Sequence, residues 1–439
     1  MTNRRGSFVC MVAAGLALCF AFGDAAAGSA VAIIHAQAWT MMDASGGRID
    51  DATIVIRDGH YESVARGAPP PSDARVIDAA GHLVTPGLMN ADTQLGLVEV
   101  SSLPETRDYG VNRGPLGAAF DVQYGLNANS MLLPVALGDG LTRAATSPTA
   151  TPDPVFLGMG AVLRVQPGGD ILDRPRAAMY AGVGGLDIRR EGGSRSAQWQ
   201  LLRNAFDEAK TFNPSRSAAV PRDQLQNAVN IAALRAMLDT HMPLAIRATR
   251  ESDIRQAVAL ARDYHLRLIV VGGSEAWRCA DLLAANKVAV VLDPEADIPW
   301  TFDDLGSRAG NAAMLVKAGV TIAFSVSGNT IQLSHNAGSA VREGAGLAVA
   351  SGLPYAEALK ALTVNPAHIF DISDHYGSMA RGQDADLVVW DGDPLEPSTA
   401  ADVVFVRGVQ AGRVTHQSLL RDRYAPSHAQ DRWPAAYRP

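Results

Sequence analysis

The chain has 439 residues, which is too long for one average domain but suits one large domain with a small one attached. Hydrophobic residues make up 47% of it and charged residues 19%, a composition that is typical of a folded protein with a large core and excludes a disordered chain. The formal net charge of −7 and the lack of any long basic run argue against a nucleic-acid partner, which requires a basic face.

Residues 1–27 have the pattern of a secretory signal peptide. The basic pair Arg4-Arg5 precedes an apolar run over 8–22, and Ala25-Ala26-Ala27 supplies the small residues of a cleavage site. The run is short for a membrane span, so we expect export to a bacterial periplasm or beyond, with no membrane attachment after cleavage. An uncleaved N-terminal anchor is the alternative. Cleavage leaves Cys279 as the remaining cysteine, in a helical pattern that favours a buried structural thiol.

Short strand-like runs alternate with turns over 28–85, and a second group of such runs lies within 373–416. The run Ala52–Arg57 precedes Asp58-Gly59, a pair that favours a hairpin because glycine adopts positive φ at little cost. Near the C-terminus, Ala385–Trp390 has the same strand pattern. The pattern alone predicts two separate groups of short strands.

The stretch Val76–Val100 places polar side chains at the end of a strand. A Pro86-Gly87 break precedes an apolar pair, and the polar run Asn90-Ala91-Asp92-Thr93-Gln94 follows it. In α/β barrels the active site is built at the C-terminal ends of the strands, which we call the barrel mouth. This polar run is therefore a candidate for the functional site.

From about residue 220 the sequence alternates helical and strand patterns. Helices are predicted over 224–240, 253–264 (with Ser252 as N-cap), 276–286 and 311–318, and strands over 244–246, 266–271, 288–292 and 320–324. Apolar strands that alternate with amphipathic helices indicate a parallel sheet covered on both faces. A closed barrel and a doubly wound open sheet both fit this pattern.

Residues 101–220 give the weakest pattern, because Gly, Pro, Ser and Arg are frequent in them. We interpret them as early barrel units with long loops, and 194–221 as a mobile insertion. The tail, 417–439, is rich in Arg, Asp and Pro, and we expect it at the surface.

Two of these segments resemble the amidohydrolase superfamily, in particular its imidazolonepropionase-like branch. At the first, 86–94, the family has Pro-Gly-Leu/Phe-Ile-Asp-Ala followed by His-x-His at the end of the first barrel strand. The second, Gly377–Trp390, is similar to the family's C-terminal signature. The resemblance implies a (β/α)8 TIM-like barrel over 86–372, and a small β-sandwich formed by 28–85 and 373–416.

The resemblance also implies which positions form the site. The family's metal ligands are His-x-His on the first strand, a Lys or Glu on the fourth, a His on the fifth, a His on the sixth and an Asp on the eighth. They hold one or two divalent ions such as zinc, which acidify a water molecule. In this chain the positions that we can assign carry Asp92, Gln94, Arg247, Gly272, Gly273 and Ser327. We therefore predict no metal cofactor.

Arg247 is the most informative of these substitutions, because it places a fixed positive charge where the family has a metal. We predict that Arg247 points into the barrel mouth and pairs with Asp92; the alternative is an arginine that extends to solvent. Such a pair could also bind a small-molecule carboxylate through two hydrogen bonds. His335, after the eighth strand, either faces the mouth or is a polar loop residue.

Two functions follow from the resemblance. In the first, the protein is an exported superfamily member with a degenerate metal site, a pseudoenzyme that acts as a binding or partner subunit, in a homo-oligomer or beside an active relative. In the second, it is a hydrolase of non-peptide carbon–nitrogen bonds with an atypical site. The sequence has no His-x-His, no Gly-x-Ser-x-Gly and no phosphate-binding glycine-rich loop. The substituted ligand positions favour the first function.

Overall fold

The computed structural model describes residues 30–184, 194–211, 225–296, 298–299, 301–326, 335–412 and 414–424. Two eight-strand sheets and the helices around one of them form the architecture of these residues. None of the helices within these ranges has the length and the apolar character that crossing a membrane requires. The predicted signal peptide, 1–27, lies outside the described residues.

The first sheet is built from both ends of the chain. Its strands are β1 (Val31–Trp39), β2 (Arg48–Arg57), β3 (His60–Arg66), β4 (Arg75–Asp78), β5 (Leu83–Pro86), β14 (Leu387–Trp390), β15 (Ala401–Val406) and β16 (Val409–Gln410). They lie in the order β16-β15-β14-β5-β1-β2-β3, with β4 beside β1. The predicted union of the two chain ends in one small β domain is therefore confirmed, and the boundaries assigned to its two parts stay a prediction.

The second sheet is the barrel. Its strands are β6 (Leu88–Thr93), β7 (Leu141–Thr146), β8 (Phe156–Arg164), β9 (Leu172–Gly182), β10 (Leu244–Ala248), β11 (Leu268–Gly272), β12 (Ala289–Leu292) and β13 (Ile322–Phe324). They follow one another in chain order and β13 lies near β6, so the predicted TIM-like barrel is confirmed and the open sheet is wrong. One strand departs from the regular pattern, because β8 runs antiparallel to both β7 and β9.

Helices accompany the barrel strands. Among the described residues they are α1 (Leu132–Gly138), α2 (Arg195–Thr211), α3 (Ala228–Thr240), α4 (Glu251–Tyr264), α5 (Ala280–Ala285), α6 (Asn311–Lys317), α7 (Ala337–Ala350), α8 (Tyr355–Ala361), α9 (Val364–Ile369) and α10 (His416–Tyr424). From residue 225 onward they match the predicted alternation with strands. The predicted N-cap of α4 is wrong, because Arg250 rather than Ser252 occupies that position. Between β7 and β9, where every residue is described, hairpins replace the crossover helices.

The segment 194–211 is a packed helix and not part of a mobile insertion, so this prediction is wrong for the described residues. Its α2 buries Trp199, Leu202 and Phe206, which recur at intervals of three and four residues. Polar residues outnumber them along the helix, and this weakened the helical pattern in the sequence.

Inward side chains fill the barrel and close its N-terminal end, which we call the floor. The apolar interior cluster includes Ala91 and Ala245 from the strands, and Ile369, Phe370 and Tyr376 from the segment after the last strand. The Tyr376 hydroxyl donates to the carbonyl of the residue that precedes β6, at 2.6 Å, which places this closure at the floor. The opposite end of the barrel therefore remains the place for a site.

Candidate active site at the barrel mouth

A β-bulge turns Asp92 toward the barrel interior. Between Asn90 and Thr93 the register with β7 shifts by one residue, so that Ala91 and Asp92 both lie opposite Ala145. A bulge of this kind re-aims a side chain relative to the alternation of a regular strand. The Asp92 side chain is consequently only 5% exposed.

Arg247 points inward from the C-terminal end of β10. Ala245, two residues earlier, packs in the interior cluster, whereas Ile246 and Ala248 pack in the core outside the strands. Alternation along a strand places Arg247 on the same face as Ala245. The predicted orientation of Arg247 toward the mouth is confirmed.

The two side chains form an ion pair across the mouth. Nη2 of Arg247 lies 3.4 Å from Oδ2 of Asp92, and the arginine side chain is 29% exposed. The same nitrogen donates to Oγ of Ser147 at 3.0 Å and to the carbonyl of Pro148 at 3.3 Å. The predicted pairing of the first and fifth strand positions is therefore confirmed.

Two atoms of this pair are buried and have no hydrogen-bond partner among the described residues. They are Oδ1 of Asp92, an acceptor, and Nε of Arg247, a donor. Leaving a buried polar group unpaired costs about 1–3 kcal/mol, and more for a charged one. Native proteins pair nearly all such groups, so each exception points to water, an ion or a ligand. The pair therefore contains one acceptor and one donor whose hydrogen bonds are unmet in this structure.

Sequence reasoning missed Tyr180 and Ser147. Tyr180 lies on β9, the fourth barrel strand, and its buried ring centroid is 5.9 Å from Cζ of Arg247. Burial and the negative charge of Asp92 raise the pKa of the Tyr180 hydroxyl well above its ordinary value, against the opposing effect of Arg247. This hydroxyl stays protonated near neutral pH. Both residues belong to 101–220, where the strand ends had no clear pattern.

The remaining predicted positions supply little side-chain chemistry. Gln94 follows β6 directly and is half-buried. Gly272 ends β11 with φ of +94° and Gly273 follows with +56°, values that glycine adopts without the penalty of a Cβ. The sixth strand thus turns sharply at the place where the family has an imidazole. Ser327 lies outside the described residues. The role of these positions as a binding pocket stays a prediction.

These residues do not fit the divalent metal ion that the resemblance implies. A catalytic zinc needs about three protein ligands, drawn from imidazole, thiolate and carboxylate groups. Of the described ligand positions, Asp92 is the one that carries a carboxylate, and the guanidinium of Arg247, which has no free lone pair to give a metal, lies against it. Throughout the described residues, no group of three or more His, Cys, Asp or Glu side chains is placed to hold a metal.

Cys279 is buried, as predicted for a structural thiol. Burial raises the pKa of its thiol to about 11. A thiol with such a pKa is protonated at neutral pH and is a poor nucleophile. His335 is half-buried and lies two residues before α7.

Comparison with known proteins agrees with the fold and the motifs. The Amidohydrolase family model matches residues 136–412. An imidazolonepropionase of Anaeromyxobacter dehalogenans is 28% identical over 79% of this chain and 84% of its own length. The amidohydrolase tasK of Hapsidospora irregularis is 42% identical over 57 residues, which are 13% of this chain and 6% of that protein.

A solved structure shows the same fold. The amidohydrolase from Thermotoga maritima MSB8 superposes with a TM-score of 0.77 and 24% sequence identity, over 88% of this chain and all of that one. The family model covers well over half of the chain, including seven of the eight barrel strands. The resemblance inferred from the sequence is thereby confirmed. The chain belongs to the amidohydrolase family.

Proposed function

We propose that the barrel mouth binds a small polar molecule through Asp92 and Arg247 without a resident metal ion. The observation that carries this proposal is the ion pair with one free acceptor, Oδ1, and one free donor, Nε. A planar amide-like group that reached both atoms after a shift of the neighbouring side chains would pair with them, because its N–H would donate to the carboxylate and its C=O would accept from the guanidinium. A carboxylate ligand is the alternative, since guanidinium groups bind carboxylates through two hydrogen bonds.

Further ion pairs hold the loops beside this pair. Asp303, in the loop after β12, contacts Arg250 at 2.6 Å and also Arg195 of α2. Arg195 in turn donates to Asp253 of α4 at 2.9 Å. Loops that are fixed before a ligand arrives reduce the entropy lost on binding. This supports a preformed site at the mouth.

Calorimetric titration with a panel of cyclic amides and short carboxylates tests the proposal. For a ligand that binds, Arg247→Gln and Asp92→Asn should each weaken affinity by about tenfold or more, since each removes one charged partner. Arg267→Gln is the matched control, because this arginine also pairs with an aspartate but lies at the floor. Equal losses in all three variants would contradict the proposal.

Metal analysis of the purified protein tests the absence of a resident ion. We expect well under one equivalent of zinc, manganese or nickel, and an unchanged melting temperature after chelation, because the mouth lacks a ligand set. One or two tightly bound equivalents of metal per chain would contradict the proposal that the mouth holds no resident metal ion.

A second candidate function is hydrolysis of a non-peptide carbon–nitrogen bond. Family membership and the similarity to an imidazolonepropionase over most of the chain favour it more directly than they favour simple binding. Fold and ancestry do not by themselves fix the chemistry of a site, so the two candidates need separate assays. Ring opening or ammonia release from the same panel, lost in Arg247→Gln, would establish the hydrolase. Ligand binding without turnover would establish the binding protein.

We also propose that the protein is exported and works as a homo-oligomer or beside an active relative. The N-terminal pattern of the sequence supports the export, and the substituted ligand positions support a partner role. Cell fractionation and light scattering of the purified protein test these two points. Cytoplasmic retention would contradict the first, and a monomer that copurifies with no relative would contradict the second.

A further inference from the structure

A cavity of about 580 Å³ lies on the outer wall of the barrel, away from the mouth. It is bounded by α3 on one side and by β8 and β9 on the other. Hairpins join β7, β8 and β9, so these strands lack the crossover helices that cover the rest of the barrel. The volume falls within the roughly 300–1,000 Å³ that is typical of small-molecule sites.

One wall of this cavity is apolar. Val229, Ala232 and Ala236 of α3 lie at intervals of three and four residues and form one face of the helix. Val229 is 55% exposed, although the opposite face of α3 is fully buried in the barrel core. Met159 and Met242 are also part of the apolar lining. Methionine side chains adapt readily to flexible apolar ligands.

One end of the cavity carries an excess of positive charge. Arg174 and Arg176 line it together with Asp371. Arg174 contacts the Asp371 carboxylate at 3.3 Å, Arg267 pairs with the same carboxylate, and Arg176 contacts Asp121 at 2.8 Å. Of these groups, two guanidinium groups and one carboxylate line the cavity itself, so the lining carries one positive charge in excess.

Two details of these arginines point to a ligand. Nε of Arg174 is buried and has no hydrogen-bond partner among the described residues. Arg176 has φ of +50°, which is uncommon for a residue with a side chain and is concentrated at functional sites. The Arg174 side chain as a whole is 39% exposed and lines the cavity, so its guanidinium, beside the excess positive charge of the lining, suits an anionic acceptor.

We propose that this cavity binds an amphipathic anion, with its apolar chain along the exposed face of α3 and its carboxylate at Arg174. Covering Val229 and the half-buried Met242 removes apolar surface from water, which favours binding. The carboxylate accepts from Arg174 and supplies the missing negative charge. The inference is independent of the function proposed for the mouth, since none of the mouth residues lines this cavity.

Calorimetric titration of the purified protein with dodecanoate tests the proposal. We expect one molecule to bind, and Arg174→Gln to weaken its affinity by about tenfold or more, because the head group loses its partner. Arg267→Gln is the matched control, since it removes an equivalent partner of Asp371 outside the cavity. The affinity of Arg267→Gln for dodecanoate should stay within about threefold of that of the unsubstituted protein.

Filling the cavity provides a second arm. Ala236→Leu adds bulk to the apolar wall and should weaken dodecanoate binding by about tenfold, whereas Ala285→Leu, at an exposed position of α5, should leave it unchanged. The proposal is overturned if dodecanoate does not bind, if the neutral dodecanol binds equally well, or if Arg247→Gln abolishes binding. A dimer that Ala236→Leu dissociates also overturns it, because a second copy would then cover this face.

Discussion

Each end of the barrel places an arginine against aspartate, and the two pairs differ in burial and in the number of partners. At the floor, Arg143 is fully buried, donates to Asp173 and Asp384 at 2.9 and 2.8 Å, and also contacts Asp386. Its Cζ lies 4.9 Å from the ring centroid of Tyr376. Two of the three carboxylates come from the segment after the barrel. Arg143 therefore joins the barrel to the small β domain.

At the mouth, Arg247 faces a single carboxylate, and donor and acceptor atoms of the pair remain free. At the floor, by contrast, Oδ1 of Asp386 accepts from the backbone of Arg407 at 2.7 Å, and Oδ1 of Asp173 accepts from Arg164 at 2.7 Å. The comparison teaches that burial of an ion pair does not identify its role. At the floor every guanidinium nitrogen of Arg143 is paired, so this network fixes the fold, even though Nε of the adjoining Arg164 has no partner among the described residues. At the mouth both members of the pair keep an unpaired atom, which leaves room for a ligand.

The largest effect should come from the floor. Arg143→Met leaves three buried carboxylates without their common partner and should lower the free energy of unfolding by about 3–5 kcal/mol, as measured in urea. Arg407→Gln is the matched control, because its side chain pairs with Asp384 but is 49% exposed. The free energy of unfolding of Arg407→Gln should fall by less than about 1 kcal/mol. Equal losses of unfolding free energy in the two variants would refute the claim that Arg143 stabilises the fold more than an exposed ion pair does.

A smaller effect should come from the mouth. Arg247→Met removes the counter-charge of Asp92 but opens the carboxylate to water, so we expect a loss of about 1–2 kcal/mol in the same urea titration. A loss as large as that of Arg143→Met would show that the mouth pair holds the fold together, and the contrast between the two ends would disappear.

The smallest effect should be a pH dependence that is confined to the floor. A hydrogen bond to Asp173 raises the pKa of His375, against the opposing effect of burial. Because the folded pKa exceeds the unfolded value of about 6.5, the stabilisation by His375 is complete below that pH and is lost as pH rises through the folded pKa.

Urea titrations of His375→Gln at several pH values check this sign. The stability deficit of the variant should be largest near pH 6 and should shrink toward pH 9. The deficit of Arg247→Met should stay flat over the same range, because guanidinium does not titrate there. A deficit of His375→Gln that grows with pH would contradict the assignment.

The sequence allowed the barrel to be predicted where local patterns were strong. The strands β10 to β13 lie within or beside the predicted runs, because each run alternates with an amphipathic helix of its own. The reversed β8 could not be predicted, since an apolar run such as Phe156–Arg164 has the same pattern in either direction. Strand direction depends on which strands pair, and the sequence pattern of 101–220 does not predict those pairs.

Of the candidate site, the sequence allowed one contact to be predicted, the pair of Asp92 and Arg247. Asp92 and Arg247 follow recognisable motifs, so their approach was foreseeable from the positions of the family's ligands. Tyr180 and Ser147 were missed because they end strands that had no clear boundary. The bulge at Ala91 and Asp92 is also set by the register with β7, which no local pattern encodes.

The sheet that joins the chain ends has a consequence for how a cell makes this protein. Tyr61 donates to the carbonyl of Asp386 across 325 residues, and β5 pairs with β14, which begins at Leu387. During translation β1 to β5 leave the ribosome long before β14 does. Until about residue 387 has been synthesised, the edge of β5 that pairs with β14 has no partner strand. An open edge recruits wrong partners, so the nascent chain needs shielding until synthesis is nearly complete.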